Sequence, residues 1–173
     1  IPSFLVEAVL YIPWVKRKVA DLSLASAFNG PEVLRNGQDR NLTHELQSTE
    51  VANGTSLIYQ VDNKLVKNIK IVFDSDLLRE TFKGISECEK HHSMRANHLL
   101  DSPTMFVPLT LAKEYVVRIK TVDNQWKIIK KDTRNLKRNV VIPVNKTVKA
   151  VELTVHKNWG DTANTNIFTF EIK

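Results

Sequence analysis

The chain has 173 residues, enough for one domain with its own core, and its 42% hydrophobic and 25% charged content excludes a disordered chain. No apolar stretch approaches the length of a membrane span. The formal charge of +6 is spread as "KRK" at 16–18, "KK" at 130–131 and "KR" at 137–138 with acidic residues between, and no recognition-helix, zinc-finger or aromatic RNA-binding motif accompanies it, which points away from nucleic acid.

The opening "IPSFLVEAVLYIP" lacks a basic leader, a small-residue cleavage site and an initiator methionine, so a fragment or a processed product is expected. Residues 1–20 read as a linker or N-terminal extension, and 21–173 as the folded module. "VEAVLYIPW" breaks at Pro13, which lacks a backbone donor. "VADLSLASAF" reads as extended, and "NGPEVLRNGQDRN" is turn chemistry. From there the signal is β. "SLIYQV" at 56–61 and "KNIKIVFD" at 67–74 alternate between apolar and polar residues. "EYVVRIKT" at 114–121, a short turn and "QWKIIKK" predict a hairpin over 114–131. "RNVVIPV" at 138–144, "KAVELTVHK" at 149–157 and "NIFTFEIK" at 166–173 complete the series. In the last strand, alternation places Phe168 and Phe170 on one buried face, with Ile167 on the other. Residues 80–105 are the least strand-like part and read as a long connection or an irregular edge strand. Many strands, little helix and one wet face per strand predict an antiparallel sandwich.

Catalytic chemistry finds little support. Cys88 is the only cysteine, so no intramolecular disulfide can form, and export is neither required nor excluded. His91, His92 and His98 lie near it, but without Cys-x-x-Cys or His-Glu-x-x-His spacing they read as a polar loop rather than a metal site or an activated thiol. Asp74 and Asp76 end a strand. Residues two apart share a face, so these carboxylates could not easily flank a sugar ring as a glycosidase requires. With Arg79 they read as a structured corner, open to facing a partner domain or ligand. No phosphate loop, dinucleotide fingerprint or G-x-S-x-G is present. Trp14, Trp126 and Trp159 remain as sites that could either stack on sugars or plug the core. Trp126 and Trp159 both sit near strand ends, where loops gather. Asn158, Asp161 and Asn164 beside Trp159 could bond sugar hydroxyls.

Four stretches together resemble a known family. "YIPWVKRKVADLSLASAF", "NIKIVFDSDLLR", "YVVRIKTVDNQWKII" and "AVELTVHKNWGDTANTNIFTFEIK" are similar, in order and spacing, to the C-terminal β-sandwich module of bacterial FAD-dependent oxidoreductases. The resemblance runs from Tyr11 to Lys173. It departs at Pro13-Trp14, where Pro-Gly is usual, at Leu78, where Asn is common, and around Leu57–Tyr59, where a tryptophan is usual. It implies an all-β antiparallel jelly-roll sandwich, galactose-binding-like. It also implies a non-catalytic accessory module that docks to a catalytic domain of the same polypeptide. FAD would belong to that other domain, with no cofactor in this chain. The alternative is an autonomous carbohydrate-binding module whose partner is a carbohydrate.

Overall fold

The computed structural model describes residues 24–37, 39, 48–76 and 107–173. The extension 1–20 with Trp14, Arg79, and the segment 80–105 with Cys88, His91, His92 and His98 lie outside the described residues. The elements in chain order are β1 (Ala27–Phe28), a 3-10 turn η1 (Glu32–Arg35), β2 (Thr49–Ala52), β3 (Ser56–Phe73), β4 (Ala112–Thr121), β5 (Trp126–Asp132), β6 (Asn139–Asn158) and β7 (Asn164–Ile172). Every strand pairing among the described residues is antiparallel.

β3 and β6 are long because each runs through both layers of a sandwich. Their first stretch of pairing joins Ser56–Gln60 to residues 150–154, and their last joins residues 68–72 to 139–143. Between the two the pair bends. Gln60 faces Ala150 and Lys64 faces Val148, so β3 uses four residues where β6 uses two. The surplus falls at Asp62 and Asn63, with φ of 54° and 61°. Further on, Val66 faces Lys146 and Asn68 faces Pro143, so the surplus residue now lies on β6, where Asn145 has φ 49°. Asp and Asn tolerate the left-handed region better than other residues with a side chain beyond Cβ. A bulge at such a residue bends the strand without ending it.

One layer therefore has the order β1-β3-β6-β4-β5 and the other β2-β7-β3-β6, sharing the two bent strands. The inward faces meet in an aromatic contact at each end. Phe28 stacks on Tyr59 at 4.1 Å, and Tyr59 packs on Phe170 of the opposite layer at 4.9 Å, its hydroxyl donating to the Phe170 carbonyl. Phe73 and Tyr115 lie 5.1 Å apart across the other end. Leu57, Val117, Ile119, Val151 and Leu153 fill the space between. η1 adds Leu34 to this core and sets the Arg35 guanidinium 5.6 Å from the Tyr59 ring.

Two local readings need correction, and one strand has no reading. The segments 56–61 and 67–74 are one strand, as are 138–144 and 149–157, because "VDNK" and "VNKT" form bulges rather than chain reversals. β2 carries little alternation and escapes the sequence pattern. The Asn53-Gly54 that follows it is a common hairpin signal, yet β2 pairs with β7 and the chain crosses to the other layer, with Gly54 at φ 88°. In β7, Val72 faces Thr169 but Phe73 faces Ile167, a bulge at Phe168. Ile167 thereby joins Phe170 and Ile172 in the core. Phe168 is buried outside that cluster, with the Arg138 guanidinium 5.4 Å from its ring. The hairpin over 114–131 forms as expected, closed by the Thr121 N–H donating to the Gln125 carbonyl at 2.9 Å.

Phe170→Ala should cost about 3–5 kcal/mol and Ile167→Ala about 2–5 kcal/mol in urea unfolding. An Ile167 variant as stable as wild type would contradict the bulged register.

Candidate functional site

In the first layer the outward face is built from cross-strand rows, since directly paired residues point to the same side. One row runs Gln60, Ala150, Lys120, Trp126; the next runs Ile58, Glu152, Arg118, Ile128; a third runs Ser56, Thr154, Val116, Lys131. The second row holds a bidentate ion pair. Arg118 donates from Nε at 2.5 Å and from Nη2 at 2.8 Å to the Glu152 carboxylate, whose side chain is only 5% exposed. Burial alone would raise the Glu152 carboxyl. The hydrogen bonds from Arg118 and from the Ser56 hydroxyl outweigh it, so the group lies below the usual glutamate range. The same bonds push Arg118 upward. Glu152 is thus a fully engaged anion that anchors the centre of this face, and no proton-transfer role fits it.

At the margin of the face, Trp126 is 40% exposed and Ile128 60% exposed on β5, which pairs only with β4 among the described residues. The Arg118 guanidinium and the Lys120 ammonium lie 5.5 and 6.0 Å from the indole. These contacts brace the ring while leaving much of it in water.

Trp159 sits elsewhere. Ala112 pairs with Asn158 at one end of β4 and Lys120 with Trp126 at the other, so the two tryptophans are separated by eight strand residues, about 25 Å. They do not form a joint surface. The Trp159 Nε1–H donates to the Asn135 carbonyl at 2.8 Å, the ring packs against the core, and Lys113 Nζ lies 5.2 Å from it. Asn158 is buried and locally committed. Its Nδ2 donates to Thr162 Oγ1 at 2.5 Å and to the Asn164 carbonyl at 2.7 Å, and its Oδ1 accepts from the Thr162 N–H at 3.0 Å. Asn164 donates to Glu50 Oε1 at 2.9 Å. Asp161 is exposed, with φ 50°. The turn between β6 and β7 is therefore a hydrogen-bonded plug that closes one end of the sandwich.

Asp74 and Asp76 make the turn that leaves β3. The Asp76 N–H donates to Asp74 Oδ1 at 3.0 Å, and the Asp74 N–H donates to the Asn166 carbonyl at 3.0 Å. No group of three or more metal-ligating side chains occurs among the described residues. Sequence patterning could not have found the Arg118–Glu152 pair, whose members are 34 residues apart and meet only through strand register.

Two outcomes test these assignments. Trp159→Ala should lower stability by about 2–3 kcal/mol, somewhat below the range for a fully buried ring, in a thermal or urea melt. For Glu152, the carboxyl is more acidic folded than unfolded, where its value is about 4.3. Its stabilising contribution is present above that value and is lost as pH falls through the lower folded one. The stability advantage of wild type over Glu152→Gln should therefore be largest near neutrality and shrink in acid. An advantage that stays constant down to pH 2 would contradict the depressed carboxyl.

The sequence matches no family model and no curated protein. Solved structures do share the architecture. The family 32 carbohydrate-binding module of Streptococcus pneumoniae EndoD aligns with a TM-score of 0.51 at 15% identity, over 86% of this chain and 93% of that one. GH31 CBM32-2, solved bound to GalNAc, aligns with a TM-score of 0.51 at 10% identity, over 88% of this chain and 93% of that one. Neither links the chain to an FAD-dependent oxidoreductase. At these identities the likeness is one of fold, and the fold is an antiparallel, galactose-binding-like jelly-roll sandwich.

Proposed function

We propose that this chain is a carbohydrate-binding module with no catalytic activity of its own, and that its ligand contact is the Trp126 face. The observation that carries the reading is the exposed indole of Trp126, braced on a rigid strand beside Lys120 and Arg118. An indole offers a flat apolar surface for the C–H face of a sugar, and ammonium or amide donors beside it can bond hydroxyls. The fold neighbours named above are carbohydrate-binding modules, which favours this class, although one fold hosts many functions and the site must decide. Trp159 is the weaker candidate because its N–H and its packing face are already used. A hydrolase reading fares worse, since Glu152 is locked by Arg118 and Asp74 serves its own turn. The accessory role beside a flavin domain rests on the sequence resemblance alone. Among the described residues no helix is long and apolar enough to cross a membrane.

Titration with a panel of neutral and acidic polysaccharides, followed by tryptophan fluorescence, tests the proposal. At least one should give a saturable change that Trp126→Ala abolishes while the unfolding temperature stays unaltered. No binding across the panel, or binding that Trp126→Ala leaves intact, would overturn it.

A further inference from the structure

We propose that the Trp126 face selects an acidic polysaccharide, one that carries carboxylate or sulfate groups along its chain; this rests on the carbohydrate-binding reading and narrows it. In the sequence the basic residues look dispersed. Yet the β4–β5 hairpin, Ala112–Asp132, holds six Lys and Arg against three Asp and Glu, so three of the six net positive charges lie on it.

The acids near it are largely spent. Glu152 is taken by Arg118, Asp132 lies 3.6 Å from Lys130, and Glu114 lies 3.9 Å from Lys157, which leaves Asp123 in the hairpin turn as the exposed acid nearest Trp126 in the chain. Lys120, Lys127 and Lys131 form no ion pair among the described residues. Lys120 and Lys131 share the outward face with Trp126, whereas Lys127 pairs with the core residue Ile119 and so points to the other side of the edge strand. Lys149, from β6, reaches the hairpin turn, where its ammonium donates to the neutral Asn124 side chain at 2.9 Å and so keeps its charge unbalanced.

Unpaired ammonium groups beside an exposed ring attract an anion that also offers an apolar surface. The spread of the cations sets the ligand's size. Trp126 and Lys131 are about 15 Å apart at the usual strand rise, so a ligand that touches both is an oligosaccharide and not a single sugar. Lysine presents a point charge on a flexible stem, suited to charges repeated along a polymer rather than to one fixed bidentate group. A nucleic acid is disfavoured because single strands are held by several aromatics stacking successive bases. Here Trp126 is the one exposed Phe, Tyr or Trp ring among the described residues.

Two pairs of polymers with common backbones provide the test: polygalacturonate against its methyl ester, and dextran sulfate against dextran. Binding is measured by titration calorimetry at low and moderate salt. The acidic member of at least one pair should bind at least tenfold more tightly than its neutral partner, and its affinity should fall with added salt. A Lys120→Gln/Lys131→Gln variant, with unchanged unfolding temperature, should lose at least tenfold on that polymer. Trp126→Ala should lose it too. Equal affinity for both members of each pair would overturn the acidic selection while leaving carbohydrate binding intact. A neutral polysaccharide bound by a protein that ignores both acidic polymers would do the same. Failure of every polymer, acidic and neutral, would overturn both readings. A single-stranded oligonucleotide binding as tightly as the preferred acidic polymer would overturn this one, since charge alone would then suffice.

Discussion

Three residues in the left-handed region hold this sandwich together. Asp62, Asn63 and Asn145 let the β3–β6 pair turn a corner while hydrogen bonds continue on both sides of it. Without that corner, the two halves of each strand would lie in one flat sheet, and Tyr59 could not reach Phe170. Backbone polarity favours this solution. A loop at the same place would have to satisfy each N–H and C=O with water or side chains, whereas a bulge leaves only the surplus residues unpaired. The rest of the architecture hangs from the corner. β4 and β5 extend one layer from β6, and β7 and β2 extend the other from β3.

The two tryptophans illustrate how position decides what an aromatic residue does. Trp159 follows a buried asparagine at the end of a long core strand, and a carbonyl lies within reach of its indole N–H. It gains both packing and a hydrogen bond, and it stays in place. Trp126 opens an edge strand whose outward neighbours are cations. Its ring lies beside guanidinium and ammonium groups and stays 40% exposed.

Local periodicity made much of the fold legible. The alternation in "SLIYQV", "EYVVRIKT" and "AVELTV" marks strands that exist, and the short polar turn after Thr121 marks a hairpin that exists. Continuity was not legible, because Asp and Asn with positive φ serve a bulge as well as they serve a turn. The face of Phe168 was misread because one extra residue in β7 resets the alternation, and nothing in "NIFTF" marks the reset. For the candidate site, residue types were visible but their grouping was not. Trp126 and Trp159 both read as residues near strand ends, yet which end depends on strand direction. Lys120 and Lys131 are far apart in the sequence of charges and come to one face only through antiparallel register.

The long pairing of β3 also has a kinetic consequence. Ser56 and Thr154, bonded through their hydroxyls, are 98 residues apart. Both strands that flank the second half of β3 come later in the chain, and β2 pairs with β7, the last of them. Closing such large loops costs entropy before any contact repays it, and domains dominated by distant pairings fold slowly. During synthesis, β3 would emerge with only the two-residue β1 among its partners already made, and the corner could form only once β6 had followed. Its inward residues, Leu57, Tyr59 and Val61, would meanwhile be exposed. The charged and polar positions between them and Val66 would then help keep the waiting strand from pairing with the wrong neighbour.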